Sequence, residues 1–188
     1  MMGQTSGGCP TVHQAPTKRK RTMDQNSAIT LAVFIGICML TALSGAFFRP
    51  GKWYQTIRKP SWNPPDKVFG PVWGILYIMI AVAGWLVWMT APFSETMILP
   101  MTIFGVQLVM NFLWSGLFFG AKRIDLALLE VSFLWISVIE LILAFLPIHP
   151  LAGYLLIPYA LWVSFAAFLN LVIYRLNRKP TPVAEPAV

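Results

Sequence analysis

Gln107, Asn111 and Trp114 follow one another at spacings of four and three, which sets them along one face of a helix. In a later segment Tyr159, Trp162, Ala166 and Asn170 step by three, four and four, and Tyr174 extends that stripe. Trp73 and Tyr77 make a third aromatic pair one helical turn apart. Indoles and phenols turned inward from three helices suit a flat, conjugated ligand, because ring faces stack at low entropic cost while N–H and O–H groups fix a polar edge. The two amides have two readings. They are either ties between helices, worth about 0.6–2 kcal/mol per hydrogen bond in a membrane, or cavity groups aimed at a ligand carbonyl or carboxylate.

Other chemistries find little support. His13 and His149 each lack a second metal ligand nearby, so no metal site is assigned and His149, between Pro147 and Pro150, reads as a loop histidine. Cys9 and Cys38 read as free thiols. No Ser-His-Asp, phosphate-loop or Cys-rich pattern occurs, and no catalytic residue is assigned. Glu130 and Glu140 fall in an apolar run, where an ionised carboxylate at mid-membrane costs about 2.5–3.5 kcal/mol. Each must lie near an end, find a partner or carry a proton.

The elements that position these residues are membrane spans. The chain is 57% hydrophobic and 11% charged, with a mean hydropathy of +0.66, against roughly a quarter charged residues in a soluble domain. Five apolar runs are each long enough to cross a hydrocarbon core of about 30 Å: residues 27–48, 71–90, 97–119, 126–146 and 151–174. Backbone groups in lipid must be satisfied within the segment, so these runs are expected to be helices and the fold an all-α, five-helix transmembrane bundle. The first run is too long for a cleaved signal core, although Ser44, Gly45 and Ala46 imitate a cleavage site. Pro100 falls in a first helical turn, and Pro158 is expected to kink the last span. Residues 1–26 and 179–188 read as tails too poor in apolar residues to fold, and 27–178 as the membrane domain.

The net charge of +7 is a topology signal and no sign of nucleic acid. Ten Lys and Arg lie on the side holding loop 49–70 and the C-terminus, against four before the first span, Lys18 to Arg21. That excess places the long loop and the C-terminus in the cytoplasm. The loop itself is dense in Pro, Trp and charge; Trp53 to Arg58 is expected to form a short interfacial helix stopped by Pro60, with the stiff Pro64-Pro65 pair leading into span two. Trp53, Tyr54 and Trp62 would then close the cytoplasmic end. Trp85, Trp88 and Trp135 read as interfacial anchors.

Three ordered stretches carry a resemblance: Trp53-Tyr54 with Lys59-Pro60-Ser61-Trp62-Asn63-Pro64-Pro65 and Gly70-Pro71-Val72-Trp73-Gly74; Gln107-Leu108 with Asn111, Trp114 and Phe118-Phe119-Gly120; and Pro158-Tyr159 with Trp162, Phe165-Ala166 and Leu169-Asn170. Over about residues 28–178 the chain resembles the TspO/MBR family of tryptophan-rich sensory and translocator proteins. The resemblance implies a five-helix bundle, often a homodimer, with a cavity roofed by the first loop. It implies a tetrapyrrole of the porphyrin or haem type as ligand, with sterol as a second class and no obligatory cofactor. The implied ligand-binding set is Trp53, Tyr54, Trp62, Trp73, Tyr77, Gln107, Asn111, Trp114, Tyr159, Trp162, Phe165, Ala166 and Asn170. Under a porphyrin-degrading alternative Trp73 and Trp162 would be electron donors; a tetrapyrrole or sterol transporter is the third reading. Arg58, Lys59 and Lys67 are open to porphyrin propionates or to lipid headgroups. Leu171, Tyr174 and Arg178 fit a weak sterol pattern, but Leu171 stands where animal members carry tyrosine, so sterol recognition is the feature least expected to carry over. Gly116 and Gly120 have the spacing of close helix approach, between copies or within one subunit. The expected residence is a bacterial cytoplasmic membrane, with the mitochondrial outer membrane as alternative.

Overall fold

A computed structural model describes residues 18–48, 51–90, 92 and 94–178, with side chains from Asn26 onward except that of Ala46. The described residues form six α-helices: α1 (Lys18–Phe47), α2 (Lys52–Thr56), α3 (Asp66–Thr90), α4 (Ile98–Ser115), α5 (Ile124–Phe145) and α6 (Pro150–Asn177). A 3₁₀ turn, Glu95–Met97, leads into α4, and a π-helical turn, Gly116–Gly120, ends it. There is no strand among the described residues. All but α2 are long and apolar enough to span a membrane.

Two helix starts differ from the sequence reading for identifiable reasons. α1 begins at Lys18, so its first turns fall in the stretch read as tail; nothing between Pro16 and Pro50 breaks a helix, and Lys, Arg, Met and Gln are good helix formers. The rest of that tail lies outside the described residues. α3 begins at Asp66, five residues before Pro71, because Pro65 accepts the first turn's bond from the Val68 N–H (2.9 Å) and the Asp66 carboxylate complements the helix N-terminus. Pro71 therefore sits inside the helix, as Pro158 does inside α6.

The spanning helices close a ring in the order α1, α3, α6, α5, α4 and back to α1. Away from the loop, α1 and α3 touch closely: Trp85 Nε1 donates to the Ser27 carbonyl at 3.2 Å, and a Cβ on Gly84 would stand 2.8 Å from the Phe34 ring and 2.7 Å from Phe104. The glycine is what allows that approach. Trp135, read as an interfacial anchor, is instead near the middle of α5, where its indole donates to Ser164 Oγ on α6 at 2.8 Å. Such a bond between helices satisfies in lipid a group that water would otherwise satisfy.

Candidate functional site

The ring's centre is polar. Tyr77 Oη on α3 donates to Asn111 Oδ1 on α4 at 2.7 Å; Asn111 Nδ2 donates to Tyr159 Oη on α6 at 2.9 Å; and Tyr159 donates back to Gln107 Oε1 on α4 at 2.9 Å. All four side chains are buried. The ties between helices expected of the amides are present. Gln107 and Asn111 tie three helices together, while Asn111 and Tyr77 also face a cavity. Among the described residues Gln107 Nε2 has no partner, and neither have the buried indole nitrogens of Trp114 and Trp162.

That cavity, about 470 Å³, lies between the loop-proximal halves of α1, α3 and α4. Trp73, Trp114, Phe69, Phe119 and Phe48 supply rings, Tyr77 and Asn111 a polar floor, and Asp66 a carboxylate. Among the described residues, none that lines it is a lysine or arginine. The volume and the mixture of rings with a few polar groups are those of small-molecule sites. Trp73 stacks on Tyr77 (centroids 5.5 Å) and meets Trp162 edge-on (6.4 Å), so the aromatic wall continues onto α6. The π turn shapes the opposite wall. Its Ala121 N–H reaches back five residues to the Gly116 carbonyl (2.7 Å), and Trp114, Phe118 and Phe119 cluster there with centroids 4.8–5.9 Å apart. Lys122 then takes a left-handed φ of 57°, which turns the chain toward α5.

The first loop packs on the cavity residues Phe119 and Asp66 and is stitched down. Tyr54, on the expected short helix, is buried against Phe118 and Phe119 and donates to Asn63 Oδ1 at 3.1 Å. Burial holds its phenol above the ordinary tyrosine range, so it remains a protonated donor. Lys59 Nζ donates to the Tyr54 carbonyl (2.9 Å) and lies 4.2 Å above the ring, which commits this cation to the lid. Gln55 donates to Asp66 (2.9 Å). Asn177, at the end of α6, accepts from the Arg58 N–H (3.0 Å) and donates to the Arg58 carbonyl (2.9 Å).

Of the expected ligand-binding residues, Trp73, Tyr77, Asn111 and Trp114 line the cavity. Gln107 and Tyr159 stand behind its floor in the hydrogen-bond chain. Tyr54, Trp114, Ala166 and Asn170 line a second, much smaller pocket next to the first. Trp162 and Phe165 pack around the α6 side of the aromatic wall, and Trp53 lies against Phe118 beneath the lid. Trp62 is 44% exposed and stacks on the outward-facing Phe168, away from the cavity. The contribution of α1, through Ala42, Ser44 and Gly45, with Phe48 just past its end, is absent from the expected set, as are Asp66, Phe69, Gly70, Gly74, Ser115 and Phe119. Phe119 was visible in the Phe118-Phe119-Gly120 motif; α1 carries no comparable signal.

Five further residues lie outside the cavity lining. Gly116 and Gly120 pack within the subunit: a Cβ on Gly120 would meet the Phe48 ring at 2.8 Å, and one on Gly116 at 3.6 Å. Glu130 is buried in α5 with neither carboxylate oxygen partnered among the described residues, whereas Glu140 is exposed near the helix end. His149 precedes the first residue of α6, at the end of the bundle away from the cavity.

A family model described as TspO/MBR family matches residues 29–175. The chain is 41% identical over 152 residues to a protein named Tryptophan-rich protein TspO from Chlorobaculum tepidum, covering 79% of this chain and 96% of that protein. It is 35% identical over 144 residues to a Tryptophan-rich sensory protein of Cereibacter sphaeroides, covering 77% and 89%. It is 36% identical over 127 residues to the human Translocator protein, covering 67% and 75%.

Proposed function

The chain belongs to the TspO/MBR family of integral membrane proteins, and on that premise we propose that it is a receptor whose cavity takes a tetrapyrrole in a sensory or regulatory role. The observation that carries the reading is the 470 Å³ cavity walled by Trp73, Trp114, Phe69 and Phe119 above the Tyr77 and Asn111 floor. Its rings suit the faces of a conjugated macrocycle, and the unpartnered Trp114 indole N–H supplies a donor for a polar edge. With no cation among the described lining residues, the ligand's carboxylates would sit at the rim. The similarity to a protein named as sensory, and to another named as a translocator, supports a membrane sensory role. The ten-to-four excess of Lys and Arg supports a cytoplasmic lid, and we place the protein in a bacterial cytoplasmic membrane.

Titrating protoporphyrin IX into purified protein tests the proposal. Saturable quenching of tryptophan fluorescence is expected, with affinity weakened by Trp73→Phe and by Asn111→Ala. Non-saturable quenching, or equal affinity in both variants, would remove this cavity as the site. New absorption bands that grow only under illumination, and only with Trp73 and Trp162 intact, would move the reading to the degrading enzyme.

A further inference from the structure

The helix pair α1 and α3 is tight at one end and open at the other. At Gly84 there is no room for a Cβ between Phe34 and Phe104. At Gly45 on α1 and at Gly70 and Gly74 on α3, all three lining the cavity, a Cβ would meet no atom within 4 Å. Gly45 and Gly70 are exposed. The remaining sides are shut. Phe48, from the end of α1, lies against Gly116 and Gly120 and meets Phe112 edge-on at 6.2 Å, which closes α1 onto α4 and the π turn. Trp73, Trp162 and Phe69 close α3 onto α6. Above, the lid is held by Tyr54 to Asn63, Lys59 to Tyr54 and the reciprocal Arg58 and Asn177 pair. Behind the glycines, inside the cavity, stands the 9% exposed Trp114 with its unpartnered Nε1.

We propose that the cavity loads sideways from the bilayer, through a window between the loop-proximal ends of α1 and α3 edged by Gly45, Gly70 and Gly74, and that its ligands are molecules dissolved in the membrane. The proposal rests on the cavity being the ligand site. It follows from comparing routes: the lid must break several hydrogen bonds to open, whereas at the glycine edge the described residues place neither side chains nor hydrogen bonds in the way. An apolar planar molecule is already concentrated in the lipid that this window faces.

The same open space helps the test, because a Cβ at any of these glycines meets nothing within 4 Å and a side chain there improves helix propensity. Protein is placed in phosphatidylcholine vesicles, and protoporphyrin IX loading is followed as the saturable phase of tryptophan quenching. Loading should scale with the porphyrin's mole fraction in the bilayer. Gly70→Leu with Gly74→Leu should slow loading by about fivefold or more, and slow release with it. Gly45→Leu should do the same from the other edge. Gly36→Leu, which adds equal bulk to α1 outside the cavity, and Asn177→Ala, which loosens the lid, should leave the rates unchanged. Absence of a saturable phase in the unmodified protein would overturn the cavity reading and this one with it. Normal loading of the leucine variants would overturn the window alone, as would a raised Kd at an unchanged loading rate. Faster loading in Asn177→Ala would assign the route to the lid instead.

Discussion

Asn111 is the side chain on which the bundle's polar centre turns, and replacing it by leucine tests that claim. The substitution removes two bonds between helices, from Tyr77 at 2.7 Å and to Tyr159 at 2.9 Å. At about 0.6–2 kcal/mol per bond in a membrane, the loss should be about 1–4 kcal/mol. Tyr77→Phe removes only the first bond and should cost about half as much. Because both variants lose the Tyr77 bond, the double variant should cost no more than Asn111→Leu alone; contacts that share a partner are not additive. Unfolding in dodecyl maltoside by graded addition of sodium dodecyl sulfate, followed by loss of helical circular dichroism, measures all three. Fully additive costs, or a Tyr77→Phe cost equal to that of Asn111→Leu, would show that Asn111 does not join the three helices.

Other consequences follow from the same geometry. Gly84→Ala should destabilise by about 1–3 kcal/mol, since its Cβ would stand within 3 Å of two phenylalanine rings, while Gly36→Ala, which meets nothing, should be neutral or stabilising in the same unfolding assay. Asn177→Ala should raise hydrogen exchange at the Arg58 amide by about tenfold, given about 0.5–1.5 kcal/mol per bond lost, and exchange confined to its former rate would mean that the lid is held elsewhere. Glu130→Leu should leave the unfolding midpoint unchanged or raise it, because neither carboxylate oxygen has a protein partner to lose; a large fall would reveal a partner outside the described residues.

The spans were legible because lipid leaves so few options: an apolar run of span length must be a helix, and loops must carry the charge. Spacing also found the inward faces of α3, α4 and α6, since polar residues at helical periods stand out against an apolar background, as Gln107 with Asn111 and Tyr159 with Asn170 do. The same test is blind to α1. Its cavity residues Ala42, Ser44 and Gly45, with Phe48 just past its end, are small or apolar like their neighbours, and Ser44 with Gly45 more readily suggested a cleavage site than a wall. Register across helices was equally hidden. Nothing local to Trp135 names Ser164 as its acceptor, and nothing local to Trp62 turns it outward onto Phe168 rather than inward over the cavity.

The central claim is that the rings of Trp73 and Trp114 flank the ligand, and selective ¹⁵N labelling of the eight tryptophans addresses it most directly. A bound macrocycle has a strong ring current, so saturating protoporphyrin IX should shift the indole resonances of Trp73 and Trp114 far more than those of Trp62 and Trp135. Large shifts at Trp62 or Trp135, with Trp73 and Trp114 unmoved, would place the ligand on the outer surface and contradict the account.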